Sequence, residues 1–138
     1  MAVELVFDII GGDFSNAGKA SSQIKKVLKQ LSINPRSIKR IVVAVYEAEV
    51  NIAAHAFQGK VFAVIDENDV KIIVADTGPG IPDIRQAMQT GFSTATREVR
   101  EMGFGAGMGL SNIEKNTDEL KIESTVGVGT TVTFRCFY

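Results

Sequence analysis

The pattern of apolar and polar positions at the start of the chain predicts one strand followed by one helix. Residues 3–10, VELVFDII, are mostly apolar and end at two glycines, which is typical of a β-strand. Between about residues 15 and 31, apolar side chains recur at steps of three and four, which predicts an amphipathic helix. Asp13 or Ser15 is a candidate N-cap, because short polar side chains accept hydrogen bonds from the first free amides of a helix.

A second helix is predicted from Pro35 to about residue 56. Asn34 fits the N-cap, and proline is favoured at the first helical position because an N–H there would have no partner within the helix. The middle of this segment is apolar, so we expect the helix to be largely buried.

The second half of the chain alternates between short β-like runs and turns. The predicted elements are strands over 60–66 and 70–75, a long loop over 77–105 with a helical turn at 81–90, a helix over 107–116, and strands over 119–125 and 130–137. A loop of this length in a small domain is usually either a functional lid or disordered. The order of elements predicts an α+β fold, a two-layer sandwich in which helices cover one face of a mainly antiparallel sheet.

Composition narrows the class of protein. The chain of 138 residues fits one domain over 1–138, and its 15 basic and 16 acidic residues give a net charge of −1. No basic stripe stands out, which argues against nucleic acid as a partner. No apolar run is long enough to span a membrane and no signal peptide is recognisable, so a cytoplasmic location is expected. The single Cys136 excludes an internal disulfide and a multi-cysteine metal site.

Three polar residues recur at regular spacing along the predicted second helix. Glu47, Asn51 and His55 are spaced four residues apart and therefore share one edge of the helix. A carboxylate and an amide near a core need partners, which are either nearby backbone groups or a ligand. Glu49 lies on another face, so we interpret it as a solvated acid. His55 is interpreted as a structural histidine with no catalytic role.

Three glycine-rich motifs follow: DTGPG at 76–80, GFGAGMGL at 103–110 and GVGTT at 127–131. Taken singly, the first and third are good turns and the second is either a hinge or a phosphate-binding loop before a helix N-terminus. The second is neither a Walker loop, because the GxxxxGK[ST] pattern is absent, nor a Rossmann turn, because no βαβ unit encloses it.

Together, the ExxxN pair and the three glycine motifs resemble the N, G1, G2 and G3 boxes of the GHKL ATPases. This is the Bergerat-fold superfamily that includes gyrase, Hsp90-type chaperones, MutL and histidine kinases. The resemblance covers residues 40–131 and implies an ATP-binding fold with a mobile lid over about 77–105. By this resemblance Glu47 is the general base, Asn51 the Mg²⁺ ligand, and Asp76 the acceptor of the adenine amino group. The resemblance implies further nucleotide contacts at Gly78, Gly80, Ile81, Ser93, Thr94, Gly105, Ala106, Gly107, Met108, Gly109, Leu110 and Thr130.

The stretch DTGPGIPDIRQAMQTGFSTA and the later GFGAGMGLSNI resemble the anti-sigma-factor and stressosome switch kinases of this superfamily. That branch implies an ATP-dependent protein serine/threonine kinase that phosphorylates a STAS-domain partner. A downstream phosphatase, cyclase or sigma factor is a further candidate partner. The sequence departs from the branch in an insert at 97–102, which leaves the identity of the partner open. The alternatives are a nucleotide-dependent binding switch or anti-sigma factor without catalysis, and an ATPase module of a larger assembly.

Overall fold

The computed structural model describes residues 2–89 and 109–138, in which one antiparallel sheet lies against a layer of helices. The strands are β1 Val3–Ile10, β2 Gln58–Ile65, β3 Asp69–Thr77, β4 Glu119–Thr125 and β5 Gly129–Phe137. The helices are α1 Lys19–Gln30, α2 Pro35–His55, α3 Ile84–Ala87 and α4 Gly109–Lys115, and a 3-10 turn covers Phe14–Asn16. The strand order is β1-β2-β3-β5-β4, and every neighbouring pair is antiparallel. The predicted α+β fold class is confirmed.

The core lies between the sheet and α1 and α2. In β3 the alternate residues Val70, Ile72 and Val74 are buried, as expected for a strand with one covered face. Across the layer, Ile41 and Ile52 of α2 are also fully buried. The predicted start of α2 is confirmed, because the Asn34 side chain accepts a hydrogen bond from the Ser37 amide at 2.8 Å. Among the described helices, none is long and apolar enough to cross a membrane.

The N-terminus of α1 differs from the sequence prediction. The helix begins at Lys19 rather than near Ser15, and the residue before it, Gly18, has a positive φ of 98°. Asp13 accepts hydrogen bonds from the side chains of Ser15 and Asn16. It makes no side-chain cap, so the predicted capping role of Asp13 or Ser15 is wrong.

The carboxylate that caps α1 is Glu49 of α2. Its Oε1 accepts from the Ala20 amide at 2.8 Å and its Oε2 from the Ser21 amide at 3.1 Å. The side chain is 1% exposed, so the prediction of a solvated acid is wrong. Burial raises the pKa of Glu49, and the amides of Ala20 and Ser21 oppose that rise. Glu49 therefore ties the N-terminus of α1 to the middle of α2.

Removal of this cap should destabilise the domain. We expect Glu49→Ala to lower the free energy of unfolding by about 2–4 kcal/mol, because two buried amides lose their acceptor. Glu49→Gln, which keeps one acceptor oxygen, should cost roughly half as much. Urea denaturation measures the difference, with Glu67→Ala in the exposed β2–β3 turn as the control. An unfolding free energy for Glu49→Ala equal to that of the control would contradict the capping role.

Candidate active site

Glu47 lies on the side of α2 that faces α4. Its side chain is half-buried, and its Oε1 accepts a hydrogen bond from the Asn112 amide nitrogen at 3.2 Å. Asn112 belongs to the short helix α4, three residues after Gly109, and was not predicted to be functional. The only signal was its position as a polar residue in the predicted helix that follows a glycine run. Asn112 orients one oxygen of the Glu47 carboxylate.

Asn51, one turn further along α2, lies against the first residue of α4. A Cβ atom on Gly109 would come within 2.7 Å of Asn51 Oδ1 and 3.1 Å of its Nδ2. A side chain at position 109 would therefore displace the Asn51 amide from its place beside the start of α4. The structure thus brings Asn51 of α2 together with Gly109 of the second glycine motif. Leu110, the next residue, is partly buried and packs against the core.

Asp76 lies near the end of β3 with one carboxylate oxygen engaged. Its Oδ1 accepts from the Thr130 amide at 3.1 Å. Within the described residues, nothing donates to Oδ2. Burial raises the pKa of Asp76, and the Thr130 amide opposes that rise. The arrangement fixes the orientation of the carboxylate and leaves its second oxygen available to a ligand.

Close contacts within the protein explain why residues 78 and 80, shortly after Asp76, are glycines. A Cβ on Gly78 would lie 3.0 Å from the Ala56 Cα, and one on Gly80 would lie 2.5 Å from the Thr125 carbonyl oxygen. Gly80 also has a positive φ of 76°, which glycine adopts most readily. Contacts of these two glycines with a nucleotide stay a prediction, because packing against Ala56, the residue after α2, and against β4 already accounts for them.

A small hydrogen-bond network supports the same end of the sheet. The Ile81 amide donates to Ser124 Oγ at 2.7 Å, and Ser124 Oγ lies 2.8 Å from Thr130 Oγ1. The Ser124 hydroxyl also donates to the Gly129 carbonyl at 3.1 Å. Thr130 thus contributes its amide to Asp76 and its hydroxyl to Ser124. Ser124 was not predicted to belong to the site, because nothing in the sequence distinguishes it from any other polar strand residue.

Several predicted site residues lie outside the described part of the chain. These are Ser93, Thr94, Gly105, Ala106, Gly107 and Met108, together with the insert at 97–102 and most of the predicted lid. Their roles stay predictions. Of the predicted residues that are described, Glu47, Asn51 and Gly109 lie at the α2–α4 contact, and Asp76, Ile81 and Thr130 lie around the ends of β3, β4 and β5.

Comparison with known proteins gives matches over the same region. Residues 36–137 match the profile of the family described as histidine kinase-, DNA gyrase B-, and HSP90-like ATPase. An anti-sigma F factor from Caldanaerobacter subterraneus subsp. tengcongensis is 37% identical over 122 residues, 85% of this chain and 82% of the relative. The serine/threonine-protein kinase RsbT of Bacillus subtilis is 35% identical over 112 residues, 78% of each chain. A chain of the SiaB-SiaC complex from Pseudomonas aeruginosa has the same fold, with a TM-score of 0.60 at 12% identity over 97% of this chain and 89% of that chain.

Proposed function

Because the chain belongs to the histidine kinase-, DNA gyrase B- and HSP90-like ATPase family, we propose that it is an ATP-dependent protein kinase that phosphorylates serine or threonine on a STAS-domain protein. The observation that carries this proposal is the half-buried Glu47 carboxylate, held by Asn112 and one helical turn from Asn51. A positioned carboxylate is what a hydroxyl nucleophile needs as a general base. The similarity to a serine/threonine-protein kinase supports the same activity.

Asp76 fits the base of an adenine nucleotide. A half-buried carboxylate with one oxygen satisfied by Thr130 and the other available is an acceptor for an exocyclic amino group. The hydrogen bond from Thr130 keeps the carboxylate from rotating, so little side-chain freedom is lost when the ligand binds. Asp76 would therefore select a base that presents an N–H donor at this position.

Asn51 fits the role of the protein ligand to Mg²⁺. Its amide oxygen is a hard ligand, and Mg²⁺ in nucleotide sites is usually held by one or two protein groups together with phosphate oxygens and water. Within residues 2–89 and 109–138, no three acidic, histidine or cysteine side chains form a metal cluster of their own. The cation would neutralise negative charge on the phosphates when it is bound.

In the transfer itself, Glu47 would accept the proton of the substrate hydroxyl as that oxygen bonds to the terminal phosphorus of ATP. The bond from that phosphorus to the ADP oxygen breaks in the same displacement. Asn112 holds Glu47 Oε1, which leaves Oε2 for the proton within a reach of about 3 Å. A STAS-domain protein would supply the hydroxyl in trans.

The direct test incubates the purified chain with ATP labelled at the γ-phosphate and a STAS-domain protein from the same genome. The expected result is one phosphoryl group on a serine or threonine of the STAS domain, located by mass spectrometry. A version of the partner with that residue changed to alanine is the control. ATP binding without transfer to any STAS-domain protein of that genome would overturn the kinase assignment.

A second candidate function is a nucleotide-dependent switch that sequesters a partner without phosphorylating it. The name that several relatives carry, anti-sigma F factor, favours this alternative, since it describes inhibition of a sigma factor. The two functions differ in stoichiometry. A sequestering switch inhibits its partner only at equimolar amounts, whereas a kinase modifies many partner molecules per chain.

Removal of the Asn51 amide should weaken nucleotide binding only when Mg²⁺ is present. We expect Asn51→Ala to lower the affinity for ATP by at least about tenfold in the presence of Mg²⁺, the loss of roughly 1.5 kcal/mol typical of a hydrogen bond or contact to a charged group. Without Mg²⁺ the variant and the wild type should bind equally. Calorimetry measures both, with Asn68→Ala in the exposed β2–β3 turn as the control. Equal affinities of Asn51→Ala and wild type in Mg²⁺ would contradict the metal role.

A further inference from the structure

A groove of about 390 Å³ lies between α1 and α2, on helices that also carry Glu47 and the α1 cap. Its apolar residues include Ile33, Ile38 and Val42, of which Ile38 is buried and the other two are partly buried. Apolar surface that remains concave and open on a helix pair is available to a side chain from another molecule.

Three exposed lysines line the same groove. Lys25 and Lys29 are one turn apart on α1, and Lys39 projects from α2. None of the described residues that line the groove is acidic, and none of the three lysines forms an ion pair with a described residue. The groove therefore presents uncompensated positive charge around an apolar floor.

The charge extends beyond the groove. Residues 14–46 contain seven lysines and arginines and no aspartate or glutamate, although the whole chain has a net charge of −1. No basic stripe is evident in the sequence, because these residues are spread over two helices. Only the packing of α1 on α2 brings Lys25, Lys29 and Lys39 to the edges of one groove.

We propose that this groove binds an acidic amphipathic segment of a partner protein. Apolar side chains of the segment would enter the groove at Ile33, Ile38 and Val42, and its carboxylates would meet Lys25, Lys29 and Lys39. Charge complementarity around a central apolar contact is the usual basis of such recognition. This inference goes beyond the proposed kinase activity, since it requires neither ATP nor Glu47.

The shape and chemistry of the groove favour a protein segment over the other polyanions. Nucleic acids are bound mainly through phosphate contacts and stacking, neither of which uses an aliphatic floor. A flat anionic bilayer would contact the convex ridges of α1 and α2 rather than the concavity between them. Val43, which also lines the groove, lies one helical turn before Glu47, or about 6 Å along the axis of α2. A bound segment would therefore lie close to the active site.

The experiment uses a fluorescent helical peptide with leucines on one face and glutamates on its flanks, and a second peptide in which glutamines replace the glutamates. Fluorescence anisotropy gives the affinity of each for the full chain. We expect the glutamate peptide to bind at least tenfold more tightly than the glutamine peptide, and its binding to weaken as salt is added. Amide NMR shifts on binding should concentrate at Lys25, Lys29, Lys39 and the residues beside them.

Two triple charge-reversal variants with equal net charge distinguish binding in the groove from general electrostatic attraction. The groove variant is Lys25→Glu/Lys29→Glu/Lys39→Glu. The control is Lys19→Glu/Lys26→Glu/Arg36→Glu, whose residues are also exposed but do not line the groove. We expect the groove variant to lose at least tenfold in affinity for the glutamate peptide and the control to lose less than threefold. Circular dichroism confirms that both fold.

Three results would overturn the proposal. One is an equal loss of affinity in the two triples, and another is equal binding of the glutamate and glutamine peptides. The third is no peptide binding while RNA or phosphatidylglycerol vesicles bind the wild type but not the groove variant. Failure of phosphate transfer to STAS-domain proteins leaves these measurements unaffected, so the two proposals fail independently.

Discussion

Glu47→Gln is expected to reduce phosphate transfer by about 10²–10⁴-fold while ATP affinity stays within about twofold of wild type. The substitution keeps the shape of the side chain and the acceptor for Asn112, but an amide does not take the proton of the substrate hydroxyl. A general base acts in the transition state, so its loss lowers turnover rather than ground-state binding.

Single-turnover transfer to the partner measures the chemical step, and calorimetry with ATP measures binding. Glu114→Gln, an exposed glutamate on α4, is the matched control and should transfer at the wild-type rate. Asn112→Leu should produce a smaller loss, because Glu47 remains but is no longer oriented. Transfer by Glu47→Gln at the rate of the control would show that another group accepts the proton.

Asp76→Asn is expected to weaken ATP binding by about 10–100-fold, the equivalent of about 1.5–3 kcal/mol for a hydrogen bond to a charged group. The asparagine oxygen can still accept from the Thr130 amide, which would direct its NH₂ group toward the ligand. A donor would then face the adenine amino group. Affinity for ATP by calorimetry gives the result, and Asp8→Asn on the exposed face of β1 is the control.

The same carboxylate predicts a dependence of binding on pH. Burial raises the pKa of Asp76 above its ordinary value of 3.8, so the oxygen becomes protonated at a higher pH than in an exposed aspartate. ATP affinity should be full above the raised pKa and fall as the pH drops through it. Asp76→Asn should remove this part of the pH profile, which separates it from the titration of ATP itself. An identical profile in wild type and variant would contradict the assignment.

The effect of Asp76 ionisation on folding stability should be opposite to its effect on ATP binding. Since the folded state raises the pKa, folding favours the protonated carboxyl, and this contribution to stability is lost as the pH rises through the folded pKa. At neutral pH, Asp76→Asn should therefore unfold at the same or a higher urea concentration than wild type. A variant that binds ATP poorly but is not destabilised locates the defect in ligand contact.

Local signals in the sequence were sufficient for most of the fold. The Asn34–Pro35 pair marked the start of α2, and strands β4 and β5 were predicted to within one residue at each end. These features depend on near neighbours, through capping and the alternation of a strand with one buried face. The groove lined by Lys25, Lys29 and Lys39 could not be predicted from the sequence, because its residues are brought together only by the packing of two helices.

Glu49 shows why the polar interior was harder to predict. Helical periodicity placed it correctly on a different face from Glu47, but which element covers that face is a tertiary property. The N-terminus of α1 lies there, and its amides change Glu49 from a surface acid into a cap. The close packing of Gly78 and Gly80 could not be predicted for the same reason, since their neighbours Ala56 and Thr125 are distant in sequence.

A crystal structure with a non-hydrolysable ATP analogue and Mg²⁺ would show whether Glu47, Asn51 and Asp76 face one bound nucleotide. We expect the adenine amino group within hydrogen-bond distance of Asp76, Asn51 on the cation, and the Glu47 carboxylate open toward the terminal phosphate. An analogue bound elsewhere on the chain, or Glu47 turned away from the terminal phosphate with Asn51 off the metal, would contradict it.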